Sequence, residues 1–454
     1  MKNSSSKQSG KMDMLHGSLL DKILLFAMPL AACSILQQLF NSVGTAVVGR
    51  FASSEALAAV GSNSSVISLM VTLFSGISLG SNVVIANYIG QCDKKRVPRV
   101  VHTAVTLALL SGVFLLVLGQ FVAHPILVLM GAPKNIIHLA TLYLRIYFFG
   151  MPFFMLYDFG ASILRSIGDT RRPMYALIVS GVVNVILNLL FVVVFRMGVA
   201  GAGWATFIAQ GISAILALTF LAMRLKKINC EGTFQWLDLV LLAQIAAIAI
   251  PSIMQQSVLS IGNMFVQEIV NRYGSAVIAG YSGAIKLNTF AINSFMALGS
   301  CLSSYTAQNL GAGKKERLPL GFRTGIRLSV IASLPFIVLY FFASRQMMGL
   351  FLNDSSIDAI NAGQKFLHIV SPMYFMISIK LMTDGIIRGA GAMHYFVMAT
   401  VPDLILRILV ALLLTQYFGS TGIWMAWPFG WIAATVLTII FYRRIITGKY
   451  VIRL

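Results

Sequence analysis

The sequence predicts an all-α polytopic membrane protein, with twelve transmembrane helices in two pseudo-symmetric six-helix bundles. An apolar composition, a series of long apolar stretches and a weak internal repeat carry that expectation. Of 454 residues, 58% are hydrophobic and 11% charged, and the mean hydropathy is +0.84. Soluble domains carry about 25% charged residues. A chain this apolar could not hide its surface in its own core, whereas a bilayer removes the need to.

A span needs roughly 20 mostly apolar residues. A polar, Ser- and Lys-rich tail (1–21) precedes the first stretch. It has no small-residue cleavage site, so no removed signal peptide is expected. Spans at 22–49, 56–88, 101–123, 138–164, 173–195 and 199–223 make an N-terminal bundle over 22–223. The charged stretch 224–236 reads as a cytoplasmic linker. Spans at 237–271, 276–310, 322–344, 360–387, 394–418 and 421–442 make a C-terminal bundle over 237–442, and 443–454 is a second tail. Several spans exceed the minimum, which implies tilt or extension beyond the bilayer.

The net charge is +20, but the basic residues sit in short gaps between apolar stretches. They form no continuous face with a stacking platform, which argues against nucleic acid. With both termini on one side, twenty-three loop and tail Lys and Arg fall on that side and five on the other. The positive-inside rule therefore puts both termini in the cytoplasm. Cys33, Cys92, Cys230 and Cys301 lie far apart with no close pair or histidine cluster, so neither a metal site nor a disulfide is expected.

The repeat has a spacing of about 221 residues: Pro29 recurs as Pro251, Arg50 as Arg272, Gly90 as Gly311, and Lys94 as Lys315. Further along, Pro152 recurs as Pro372, Arg165 as Arg388, Gly168 as Gly391, and Gly198 as Gly419. Six helices per repeat give both halves one orientation. Transporters built this way are expected to hold substrate between the halves and to rock one against the other.

Polar groups inside spans locate function, because hydrocarbon tolerates them only where they find partners or line a cavity. Gln37, Asn41 and Thr45 share one face of the first helix, at i, i+4 and i+8. Gln256, Ser260, Asn263 and Gln267 make a similar stripe on the seventh. Asn184 and Asn188 stand four apart on the fifth. The competing reading for each is interhelical hydrogen bonding. Aromatic residues beside Pro152 and Pro372 (Phe153, Phe154, Tyr157; Tyr374, Phe375) could hold flat or cationic guests or simply pack.

Ionisable residues inside the spans are Arg145, Asp158, Glu268, Lys286, Lys380, Asp384, Asp403 and Arg407. Asp384 has Lys380 and Arg388 four residues away on either side, Asp403 has Arg407, and Glu268 has Arg272. Such pairs are structural as readily as functional. Lys286 has no helical partner of its own, so it is expected to be deprotonated, hydrated, or paired across helices with Glu268 or Asp384, a pair that could exchange a proton for a substrate. No enzyme signature stands out: the histidines are scattered, and Gly198–Gly203 opens a membrane helix with no preceding nucleotide-type strand.

In order along both halves, the segments 37–41, 48–50, 56–61, 86–90, 164–170, 201–206, 307–313 and 388–391 resemble the multidrug and toxic compound extrusion (MATE) family, bacterial type. The resemblance covers nearly the whole chain. It implies two six-helix bundles, no cofactor, and export of amphipathic, often cationic, small molecules coupled to H+ or Na+. A monomer in the bacterial cytoplasmic membrane is expected. Similar transporters carry an acid six residues before the Arg of the Val-Gly-Arg run, and here that position is Gly44. Where many have an Asn-x-x-x-Asp pair, this chain has Asn184 and Asn188, while Tyr143 and Thr206 match the polar cluster. An amide cannot release a proton near neutral pH. Coupling is therefore expected to fall to Glu268, Lys286 and Asp384 in the second half. The alternatives are a flippase for a lipid-linked oligosaccharide, with Lys286, Lys380 and Arg145 serving an anionic headgroup, and an uncoupled exporter.

Overall fold

The computed structural model describes residues 19–93, 95–130, 133, 135–227, 235–352 and 357–447. Most of both expected tails and the linker residues 228–234 lie outside the described residues. Among the described residues the secondary structure is helical throughout. In chain order the helices are α1 (Leu20–Phe51), α2 (Ser54–Gly90), α3 (Arg96–Leu129), α4 (Ile137–Phe149), α5 (Met151–Ser166), α6 (Arg171–Asn188) and α7 (Gly198–Lys227). There follow α8 (Leu239–Asn271), α9 (Ser275–Gly311), α10 (Leu318–Phe342), α11 (Ser344–Gly349), α12 (Ile357–Val370), α13 (Tyr374–Gly389), α14 (Met393–Phe418) and α15 (Ser420–Ile446).

Among the described residues a helix or a broken helix pair lies at each of the twelve expected spans. Ten continuous helical segments are long and apolar enough to cross a bilayer, with α12 and α13 counted as one across the Ser371–Met373 turn. The pair α4 and α5, bent by 47°, makes another. Its break falls at Gly150 and Pro152, where proline opens α5 and the helix loses a backbone bond. The twelfth is α9, which has 37 residues but carries too many polar side chains to pass on composition alone. Asn288, Ser303, Ser304, Thr306 and Asn309 of α9 are buried inside the bundle, which is why a polar helix can exist there.

The chain divides into two compact units, residues 1–245 and 246–454. The first turns of α8 belong to the first unit, where Asp238 N–H donates to Thr103 Oγ1 (3.2 Å) and the Tyr88 hydroxyl bonds Gln244 Oε1 (3.0 Å).

The internal repeat is repeated in backbone geometry. Cys92 and Gly313 both adopt left-handed φ (56° and 73°), as do Gly168 and Gly391 (87° and 72°) and Gly198 and Gly419 (55° and 57°). After α5, Asp169 N–H reaches back to Leu164 O (2.9 Å), and after α13, Ala392 N–H reaches Ile387 O (3.1 Å). Each closes a helix end through a left-handed residue, which glycine supplies without penalty. A related closure follows α2 and α9, from Asp93 to Tyr88 O and from Lys314 to Asn309 O.

Candidate functional site

In the first unit the polar groups form two small sets. Asn188 ends α6, and a π-helical stretch, Leu189–Val194, begins directly after it. Such stretches are rare and frequent at functional sites. The Asn188 amide donates to Asn184 O (2.9 Å) and Asn184 Oδ1 (3.1 Å). Its own Oδ1 is buried with no hydrogen-bond partner. Gly44 of α1 faces it, since a Cβ there would sit 3.8 Å from Asn188 Nδ2. A glycine and a neutral amide therefore meet here.

The second set joins α4 to α7. Tyr143 is buried beside the Thr206 side chain, and Tyr147 meets Gln210 one turn along. The Gln210 side chain lies over Gly150 at the α4–α5 break, in the space a Cβ would fill. Gln210 was not foreseen, though it stands four residues after Thr206.

On α1, Gln37 and Asn41 are exposed and Thr45 is half-buried. The Thr45 hydroxyl bonds Asn41 O of its own helix (3.0 Å). On α8, Gln256, Ser260 and Gln267 are half-buried and Asn263 is exposed. Gln267 donates to Asn271 (2.8 Å). The glutamine that α8 buries is Gln255, whose amide reaches Thr400 Oγ1 (3.3 Å). The inward stripe of small and apolar residues through Ser252, Gly262 and Val266 would have selected it over its neighbour.

The ionic expectation for Lys286 is corrected. Glu268 pairs with Arg272 (2.7 Å), both side chains well exposed at 60% and 66%. Asp384 pairs with Lys380 at 2.6 Å. Lys286 Nζ instead stands 5.6 Å over the Phe351 ring. The physical reason is reach: each acid already has a cation four residues away on its own helix, and a local pair costs less ordering than one across helices.

The second unit concentrates charge. Lys380, Asp384 and Arg388 on α13 and Asp403 and Arg407 on α14 are all buried. Asp403 Oδ2 accepts from Arg407 (2.9 Å), and the Arg407 guanidinium lies 4.5 Å from the Trp427 ring centre. The charge of Asp403 also reaches Asp384. Arg388 Nε bonds Ser303 Oγ of α9 (3.4 Å). Lys380 and Arg388 approach the same Phe396 ring at 6.0 and 5.9 Å. Asp384 Oδ1 and Asp403 Oδ1 have no hydrogen-bond partner. A buried row of this kind is expensive in hydrocarbon, which makes it a candidate site.

Comparison with known proteins follows the same outline. The MatE family model matches residues 29–190 and 251–413, one copy in each half. Over 440 residues, 95% of each chain, the protein is 29% identical to "Probable multidrug resistance protein YoeA" of Bacillus subtilis. It is 26% identical to that organism's "Probable multidrug resistance protein YpnP" over 433 residues, 95% of this chain and 96% of the relative. In fold it is similar to a solved MOP superfamily transporter from Pyrococcus furiosus. There the TM-score is 0.90 at 21% identity, over 98% of this chain and 100% of the other.

Proposed function

The chain belongs to the MatE family of membrane transporters, and from that premise we propose that it exports amphipathic, cationic organic compounds by alternating access, coupled through its C-terminal unit. The relatives named as multidrug resistance proteins support the cargo class. The observation that carries the coupling is where the carboxylates lie. Gly44 and Asn188 face each other in the first unit with no acid between them, while Asp384 is buried against Lys380 in the second. A neutral amide neither binds nor releases a proton near pH 7. An exchanged cation, H+ or Na+, is therefore handled around Asp384. Glu268 is a weaker candidate because its exposed pair with Arg272 holds it at the surface of its helix. The protein works as a monomer in the bacterial cytoplasmic membrane, with both termini in the cytoplasm, as the loop charges favour.

The test is ethidium export from proteoliposomes under imposed proton and sodium gradients in turn. Export driven by one gradient, and lost in Asp384→Asn, is the expected result. Export indifferent to both gradients would make the protein an uncoupled exporter. A second reading is export of an anionic cargo, such as a lipid-linked oligosaccharide. It draws on the buried row of α13 and α14, where three cations face two carboxylates. Absence of ethidium export together with transport of an anionic cargo would favour it.

A further inference from the structure

The buried row in the C-terminal unit does not balance. Asp403 and Arg407 form a closed pair at 2.9 Å. That leaves one carboxylate, Asp384, beside two cations, Lys380 and Arg388. Both cations also approach the one Phe396 ring. With every group ionised the row carries one positive charge inside a membrane bundle, where an uncompensated charge is costly. Adding a cation to either carboxylate would raise the surplus, whereas losing a proton would cancel it.

Arg388 is not the group that yields. A guanidinium does not lose its proton in proteins. Arg388 also sits in the last turn of α13, where the carbonyl end of the helix favours positive charge, and it is held by Ser303. Lys380 has neither constraint. It lies mid-helix with only Asp384 at hydrogen-bonding distance (2.6 Å), and buried lysines change protonation readily.

Among the described residues no further ion pair reaches α13 from its neighbours. From α14 come Asp403 and Arg407, already paired. From α9 comes the Ser303 hydroxyl. From α10 and α15 come uncharged contacts, Ser378 to Ser329 O and Thr435 to Met376 O.

We propose that Lys380, rather than a carboxylate, carries the exchanged proton. An arriving organic cation displaces one proton from the Lys380 ammonium. The lysine becomes a neutral amine, the row becomes neutral, and the Asp384 carboxylate faces one buried cation in place of two as the charged guest arrives. The row and its guest together keep the same net charge throughout; the proton leaves on the side where the cargo arrives and is replaced from the opposite side when the cargo is released. This rests on the proposed export of organic cations, and it assigns the coupling ion as H+.

Lys380→Arg tests it, because arginine keeps the charge and the pair but cannot release the proton. In wild-type proteoliposomes, a proton gradient should drive ethidium accumulation, and ethidium binding to the purified protein should release one proton. Lys380→Arg should lose gradient-driven accumulation at least tenfold and release no proton. Its ethidium affinity should change less than twofold over a pH range in which the wild-type affinity falls about tenfold per unit of acidification, as linkage requires for a one-proton exchange. Should the larger side chain prevent folding, Lys380→Gln is read instead, with the same loss of proton release. Accumulation and proton release retained in either folded variant would overturn the assignment. So would export by the wild type driven by sodium alone, which leaves the export reading standing. A wild type that moves no ethidium under any gradient overturns the export reading, and this assignment with it.

Discussion

The same helix crossing is built twice in this protein, with opposite chemistry. In the first unit α2 meets α5 through side chains. Ser78 Oγ donates to Asp158 Oδ2 (2.7 Å), Ser162 Oγ to Ser78 O (2.8 Å), and Asn82 Nδ2 to Ser162 O (2.8 Å). In the second unit α9 and α13 also share side-chain bonds, Arg388 to Ser303 and Tyr374 to Asn288, but at their glycines they approach backbone to backbone. A Cβ on Gly385 would lie 2.1 Å from Gly299 O, and one on Gly389 2.3 Å from Ser303 O. In the register that aligns Arg165 with Arg388, Gly385 stands where the first half has Ser162. The acid moves with the crossing. Asp158 reaches Arg165, seven residues on, at 3.8 Å and with both partly exposed. Asp384 lies three residues nearer its arginine and pairs with Lys380 in full burial. A polar crossing keeps its acid hydrogen-bonded and partly exposed, and a glycine crossing seals it among cations. The proposed coupling through the C-terminal unit rests on this difference.

The comparison breaks most visibly at the two acids. Asp384→Asn leaves two buried cations without their carboxylate, a loss of about 3–5 kcal/mol for broken buried pairs. It should also abolish gradient-driven export. Asp158→Asn keeps an oxygen for Ser78 and gives up only a long, partly exposed pair, which costs about 1 kcal/mol or less. Its export should stay within threefold of wild type. Thermal melting and proteoliposome flux measured on both variants check this, and equal losses would mean the two crossings do the same job.

The crossings themselves come next. Gly385→Ala forces a methyl into the Gly299 carbonyl, an overpacking of about 1–3 kcal/mol or more. Ser162→Ala removes one hydroxyl from a polar crossing, worth about 1 kcal/mol. The glycine variant should therefore melt lower than the serine variant. The reverse order would show that α9 and α13 can part without cost.

A smaller effect is expected from returning an acid to the first unit. In Gly44→Asp the new Cβ meets Asn188 Nδ2 alone, at 3.8 Å, so the variant should fold. It would place a carboxylate beside the Asn184–Asn188 amides and add a second ion-dependent component to transport. Flux against pH and against sodium, compared with wild type, reads it. An unchanged profile would mean that the amide pair is structural only.

The helices were legible because hydrocarbon leaves the backbone few choices, and a long apolar run is a strong signal. Even α9 was found despite its polar side chains, since its length and its match to α2 outweighed them. Pairs four residues apart were equally legible: Lys380 with Asp384, Asp403 with Arg407, and Asn184 with Asn188 all meet as their spacing requires. Contacts that depend on how one helix is turned against another were not. Sequence spacing pointed to Gln256, but rotation of α8 buries Gln255. The glycine crossing at Gly299 and Gly385 was hidden because a small residue announces neither its partner nor its distance. The π-helical turn after Asn188 left no mark either, since Leu189–Val194 reads as ordinary apolar helix.

The smallest expected effect is at Glu268, and it sharpens the comparison from inside the second unit. Glu268 and Asp384 are both acids with a cation four residues away, at 2.7 and 2.6 Å. They differ in burial, since the Glu268 side chain is 60% exposed and that of Asp384 4%. An exposed pair of this kind contributes about 0.2–1 kcal/mol and is screened by salt. Glu268→Gln should therefore change gradient-driven export less than twofold and leave its pH profile in place, whereas Asp384→Asn removes it. If the two variants lose coupling alike, burial is not what selects the coupling acid, and the exposed face of α8 must take part in the exchange.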